Sequence, residues 1–579
     1  MKKSLFTILL LLMPLWVSAQ QLTITTDTIG QLARLLPDSN RYSVEELKIC
    51  GPLNGNDVKT IQLITNRVRP KKANERLIRV LDLSEATITE SKGSYRMKAD
   101  VLPAGMFLNC KSLEKVILPN STAEVSRSCF SGCLNLQEVV IPEGTEIIND
   151  YAFFNCGSLK EVHFPQSLTT IKNHAFDGCV LFTEIEIPSN VTQMEVYAFN
   201  NCRNLQRVNI LGNINRLSNY AFASCSSLQE ITIPSSVTLI GNCAFKFCSA
   251  LANIQMPETI SEIGSNAFED CVSLKDIEIS TASIIGSEAF KGCTGITDIK
   301  IESASRIGNN AFQDCTGLAS VNIDGNLKGI GNETFSGCSS LTTLTIPSTV
   351  KVIGQRAFFD CKSLQEIELP DALTRIQDHA FENCASLRCV FIPSMVKQMG
   401  SNTFENCVSL DSVYIQGFIE KVESDVFRYC RSLRVVRLPI SVKSIQDNAF
   451  QECASLTTIN LPISITSIGD NAFERCASLR TAVIPAACTT IGSAAFRECS
   501  ALSRLELPAA LKKINGNAFA KCVSLRELIL NSPLPPSIAH STFKGVILNA
   551  CKVYVPKGSK SNYNEDKSWK KMPMIVDQE

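Results

Sequence analysis

The 579-residue chain is poor in the residues from which most catalytic and metal sites are built. Its four histidines, His163, His174, His379 and His540, are scattered, and its 25 cysteines include no C-x-x-C pair. Neither a zinc ligand set nor a redox dithiol is therefore spelled out. No G-x-x-x-x-G-K-[ST], H-E-x-x-H, G-x-S-x-G or EF-hand loop occurs. Of the two tryptophans, one lies in the N-terminal apolar run, which leaves little for an aromatic-lined glycan or small-molecule pocket. An excess of either charge is missing as well, with 56 basic against 56 acidic residues. No global field draws the chain to nucleic acid or an anionic membrane. Catalytic residues, cofactor and metal are all expected to be none.

The first residues read as an export signal. Lys2 and Lys3 precede the apolar run "LFTILLLLMPLWV", and Val17, Ser18 and Ala19 supply small residues for cleavage after Ala19. The run contains Pro14 and falls short of the roughly 20 residues of a bilayer span. No later stretch reads as a span. Without Lys2 and Lys3 the remainder holds 54 basic and 56 acidic residues, a net of −2. The expected location is outside the cytoplasm: secreted, on the cell surface, or in the periplasmic envelope.

What the chain has in abundance is repetition. Phe107, Phe130, Phe153, Phe176, Phe199, Phe222, Phe245 and Phe268 follow one another at 23 residues. Phe290 and Phe312 come at 22, the series resumes at 23 from Phe335 to Phe519, and Phe543 closes it at 24. So fixed a period predicts a solenoid whose rows bury their apolar residues against one another. Within a row, "LQEITI" (228–233) has L-x-x-L-x-L spacing, whose alternating half predicts one short strand ended by Pro234. The fold expected is an α/β-type solenoid: a curved leucine-rich-repeat array of about 20 rows of 23 residues, with a continuous parallel sheet.

Nineteen cysteines stand three residues after a row phenylalanine, from Cys110 to Cys522; in the last row Val546 takes the slot. Cys225, Cys248, Cys271, Cys384 and Cys407, with Phe222, Phe245 and Phe268, typify the ladder. One such cysteine per row, all pointing the same way, suits an interior slot filled by a small hydrophobe with a weak donor better than a disulfide framework. Six cysteines lie off the ladder (Cys50, Cys129, Cys243, Cys389, Cys488 and Cys551), and pairing between two of them is left open.

"IGDNAFERCASL" (468–479) followed by an "IPxS" turn resembles the BspA-like leucine-rich repeats of bacterial surface and secreted proteins, and the likeness runs over roughly 101–545. "LKICGPLNGNDVKTIQ" with "VLDLSEATI", and "CKVYVPKGSKSNYNEDKSWKKM", resemble the ends of such proteins. The resemblance implies adhesion to host matrix proteins or other cells, and recognition by host receptors. The organisation expected is a signal peptide at 1–19, an N-terminal cap region at 20–100, the solenoid at 101–545 and a C-terminal cap at 546–579. Polar end rows are needed to cover the exposed core. A helix is expected over 57–66, a solvated basic loop at 67–76, and a closing strand at 552–556 with Trp569 packed inward.

The exposed sheet face is where a solenoid binds. Its outward slots are acidic in early rows (Glu138, Glu161, Glu184, Glu186, Glu230, Asp276, Glu278 and Asp298) and still so at Glu366 and Glu368. Then Phe391, Tyr414 and Val435 occupy them, beside Arg388, Arg434 and Arg437. Aromatics edged with arginine are the composition of interface hot spots, although single apolar residues on a surface are ordinary. The function expected is an exported non-enzymatic protein that binds a protein or cell-surface partner through this face. The alternative is a glycan or small-molecule capture protein of the bacterial envelope. Between Phe268 and Phe335 two rows are one residue short, and Ser280, Glu302 and Asp324 stand where other rows end the strand with proline. This predicts either a change of curvature or neutral drift in a turn.

Overall fold

The computed structural model describes residues 21–37, 41–67, 69–71, 75–92 and 96–578. The export signal read at 1–19 lies outside them, as do 68 and 72–74 of the basic run. The chain divides into two compact units, 1–203 and 204–579.

In the first unit, the strand Gln21–Thr25 pairs in parallel with Glu46–Leu53, which pairs with Val80–Asp82 and then with the row strands Lys115–Ile117, Glu138–Val140 and Glu161–Val162. The cap is thus the start of the outer sheet, not a separate lid. A second parallel ladder of two-residue strands runs from Val101–Leu102 to Gln193–Met194. The expected cap helix spans Gly55–Thr65, with Asn54 accepting from the Asn56 and Asp57 amides and Asp57 accepting from the Asn54 amide. This reciprocal cap satisfies orphan donors at the helix start. Val58, Ile61 and Ile64 are buried, so the helix closes the end of the core. Arg67 is not solvated as expected: it pairs with Glu75 at 3.0 Å and lies over the Tyr42 ring at 3.7 Å.

The second unit repeats the same two ladders. Outer strands include Arg207–Ile210, Glu230–Thr232, Cys389–Ile392, Ser412–Ile415 and Arg504–Leu507; the opposite side carries two-residue strands such as Leu239–Ile240 and Ser467–Ile468. All the pairings recorded between these strands are parallel, in register at the row period. The outer ladder is interrupted: Glu366 meets Cys389 by a single bridge, and 457–462 forms no strand. Among the described residues the α-helices, Leu32–Leu35, Gly55–Thr65 and Lys560–Glu565, lie in the terminal regions. The rows themselves turn without helix.

The turns explain a sequence pattern. The residue two before each row phenylalanine has φ between +54° and +61° from Ser128 to Asn517. The residue two after it is left-handed as well, for example Asn155, Asp314 and Glu498, or glycine at Gly132, Gly178 and Gly337. Asparagine and aspartate tolerate this region better than other non-glycine residues, which accounts for the recurrent "NAF". On the return segment the "IG" glycine marks a close approach of rows. A Cβ on Gly264 would stand 2.7 Å from the backbone nitrogen of Asn242.

The phenylalanines stack through the core. Ring centroids are 4.9–5.3 Å apart from Phe107 to Phe199, and 5.0–6.0 Å apart from Phe222 to Phe543. The two short rows keep the spacing, with Phe268 to Phe290 at 5.2 Å and Phe290 to Phe312 at 5.3 Å. Their missing residues come from the turn after the strand, not from the core. Trp569, fully buried, ends the stack edge-on to Phe543 at 5.9 Å. The expected strand forms at Lys552–Val555, but it does not close the sheet: Ile575–Asp577 pairs beyond it in parallel. Burial of each ring contributes roughly 1.5–3 kcal/mol, repeated row after row.

Candidate binding face

The cysteine slot is an interior hydrogen-bond ladder. The thiols of Cys248, Cys271, Cys384 and Cys407 donate to the carbonyl oxygens of Phe222, Phe245, Phe358 and Phe381 in the preceding row, each at 3.2 Å. Cys225 is likewise fully buried. At the first row Cys110 donates to the Thr65 carbonyl at 2.8 Å, so the end of the cap helix stands in for the missing phenylalanine. All 25 cysteines are free, including the six off the ladder, and all but Cys389 are buried. Burial raises the Cys248, Cys271, Cys384 and Cys407 thiols well above their ordinary range and Cys522 to about 12, and off the ladder it raises Cys488 and Cys551 to about 11. Such thiols stay protonated at neutral pH, as inert structural groups do.

His174 and His379, each two residues before a row phenylalanine, are held by neighbouring side chains. His174 stacks between Tyr151 and Tyr197 at 4.6 and 4.4 Å and bonds Asp177 through Nδ1 at 2.8 Å; His379 bonds Glu382 at 2.6 Å. Both sit on left-handed turns, half-buried. Among the described residues no three His, Cys, Asp or Glu side chains are placed to hold a metal ion.

On the outer sheet the early acidic slots are exposed at Glu138, Glu161, Glu230, Glu278 and Asp298, and two are paired with a base from a neighbouring row. Lys115 pairs with Glu138 at 2.7 Å, and Arg207 with Glu230 at 3.4 Å. The Ser320 hydroxyl donates to Asp298 and holds its carboxyl below the usual range. Glu366 and Glu368 are exposed as expected.

The late rows bring the predicted residues together. Parallel register places Phe391 beside Tyr414 and Tyr414 beside Arg437, while Cys389, Ser412 and Val435 form the companion line. The Phe391 and Tyr414 rings stack at 4.9 Å and 9°, and the Arg437 guanidinium stands 5.6 Å from the Tyr414 centroid. Phe391 is 59% exposed. Arg388 is exposed, and Arg434 is held 3.6 Å from Asp411. Val435 is exposed too, and the Ser412 hydroxyl donates to the Cys389 sulfur at 3.3 Å.

Sequence reasoning missed a second apolar line. Met395, Phe418, Ile440 and Ile463 occupy the turn after the outer strand in four consecutive rows and are 52–73% exposed. Their signal was present, because the equivalent turn positions of other rows hold small or polar residues, such as Ser235, Glu258, Asn326 and Ala509. A surface apolar cluster of this kind marks an interaction site more often than scattered residues do.

Among the described residues no helix is long and apolar enough to cross a membrane. No curated protein sequence matches the chain. Among solved structures, a leucine-rich repeat protein from Bacteroides ovatus is 20% identical over 89% of this chain and 95% of its own, with a TM-score of 0.30. A leucine-rich repeat protein from Eubacterium ventriosum is 24% identical over 51% of this chain and 83% of its own, TM-score 0.37. A leucine-rich cell surface protein from Faecalibacterium prausnitzii is 24% identical over 64% of this chain and 86% of its own, TM-score 0.27. The profile of the BspA type leucine rich repeat region (6 copies) matches residues 100–229, 215–341, 305–434 and 420–549. With its rows matched from 100 to 549, the chain belongs to the BspA-type leucine-rich repeat family.

Proposed function

We propose that this chain is an exported, non-enzymatic binding protein that attaches to a host, matrix or cell-surface protein through its outer sheet face. The observation that carries the reading is the stack of exposed Phe391 on half-buried Tyr414 with Arg437 over the second ring. Rigid aromatics have few torsions to immobilise, and arginine adds a cation over a ring face, so such a cluster concentrates binding energy. Arg388, Arg434 and Val435 form its rim, and the apolar turn line from Met395 to Ile463 extends the area a partner would cover. Membership of the BspA-type family and the adhesion implied by that resemblance agree with this reading.

The test is a binding screen of residues 20–579 against immobilised matrix proteins, whole cells and a glycan array. It runs beside a variant carrying Phe391→Ala, Tyr414→Ala and Arg437→Ala. Saturable binding to a protein or cell, weakened at least ten-fold in the variant, is the expected result. Undiminished protein binding by the variant moves the site elsewhere, and binding to glycans alone replaces adhesion with capture.

A further inference from the structure

The last row departs from the ladder, and the departure opens a cavity. Val546 replaces the cysteine, and the chain leaves the repeat into the short 3-10 turn Leu548–Ala550. The cap returns over the row as the 3-10 turn Trp569–Lys571. Trp569 covers the Phe543 ring but does not fill the space beside it. A cavity of about 690 Å³ remains between the two turns. Ligand pockets run from about 300 to 1,000 Å³, so it can seat a small molecule.

Its lining has two characters. Phe543, Val546, Leu548 and Met572 supply an apolar floor. Lys544, Lys567 and Lys571 stand at its edge with His540, and no acidic side chain lines it. Among the described residues none of these lysines has a carboxylate within ion-pairing distance. In the preceding row, by comparison, Lys521 is held by Glu498 at 2.8 Å. Three unpaired ammonium groups around an apolar floor leave positive potential over a surface that gains from losing water.

We infer that this cavity binds an anionic amphiphile, with an acyl or alkyl tail on the Phe543–Met572 floor and a carboxylate or phosphate head among Lys544, Lys567 and Lys571. The site is separate from the proposed docking face and does not depend on it.

The experiment titrates residues 20–579 by calorimetry with dodecanoate, dodecyl phosphate and dodecanol, each below its micelle-forming concentration. Two variants run in parallel, Lys544→Glu with Lys571→Glu, and Met572→Trp. Thermal melting checks that each is folded. Expected is saturable binding of one acid per chain, with dodecanol at least ten-fold weaker and added salt reducing the difference. The charge variant should bind at least ten-fold more weakly, and the cavity-filling variant should lose binding with its melting midpoint kept. Binding by only one of the two acids identifies the head group and supports the inference. Absence of saturable binding, equal binding of dodecanol, or unchanged affinity in both folded variants overturns it.

Discussion

The Cys271 thiol donates to the carbonyl oxygen of Phe245, 3.2 Å away in the preceding row, and this bond recurs along both units. It gives the cysteine a part in joining rows as well as in filling space. The same phenylalanine receives a stacked ring from the next row, so each turn is fixed by one polar and one apolar contact.

The donor predicts a ranking of substitutions. Cys384→Ala should destabilise the protein through the lost bond to Phe358, about 1 kcal/mol, plus a cavity term. Cys384→Ser keeps a donor in the slot and should cost less. Urea unfolding of the three proteins checks the order; a serine variant less stable than the alanine one would contradict the role given to the thiol.

Thiol burial predicts an alkaline limit. Below a pH of about 7.5 neither the folded nor the unfolded chain ionises its cysteines appreciably, and these groups add little pH dependence. Above it the unfolded chain loses thiol protons that burial makes the folded chain keep, so unfolding is favoured as pH rises. Each thiol that burial raises in this way contributes up to about 1.4 kcal/mol per pH unit in this window. Stability measured from pH 7 to 10.5 should begin to fall near pH 8 and fall steeply above about 8.5, and a flat profile would refute the protonated ladder.

Accessibility predicts a single early thiol. Cys389 is the one cysteine that is not buried, and it lies in the line beside Phe391 and Tyr414. A thiol reagent at neutral pH should modify Cys389 first, and all 25 cysteines only after unfolding. Cys389→Ser should remove the fast phase, and a bound partner on the proposed face should slow it.

An ion-pair run predicts a small acid effect. Lys521 and Arg475 hold the Glu498 carboxyl down at about 2, with Arg475 also reaching Glu452 at 2.7 Å. A depressed carboxyl adds stability above its unfolded value, and that stability is lost as pH falls from about 4.5 toward 2. These groups are partly exposed, so Glu498→Gln should cost less than about 1 kcal/mol at pH 7. Melting of the variant should show a flatter profile across that acid window.

Much of the proposed face was legible beforehand. A period-two alternation fixes which strand residues point outward, so Phe391, Tyr414 and Arg437 could be placed on one face from spacing alone. The ring contacts needed the register between rows. The apolar turn line from Met395 to Ile463 was passed over because turns carry no period that separates exposed from buried positions. The terminal cavity was invisible for a related reason: it is made by two segments whose meeting no repeat predicts.

By itself the sequence determined the solenoid, because a 23-residue apolar period can be buried only by stacking like rows on like. It determined the interior place of the cysteines for the same reason. Tertiary structure alone decided that the thiols bond phenylalanine carbonyls, that Asn-rich turn slots are left-handed, and that the N-terminal strands join the outer sheet. It also decided where the last row leaves space beneath the cap. Each of these depends on distances between rows or between a row and its cap, and periodicity fixes which residues face one another without fixing how closely they meet.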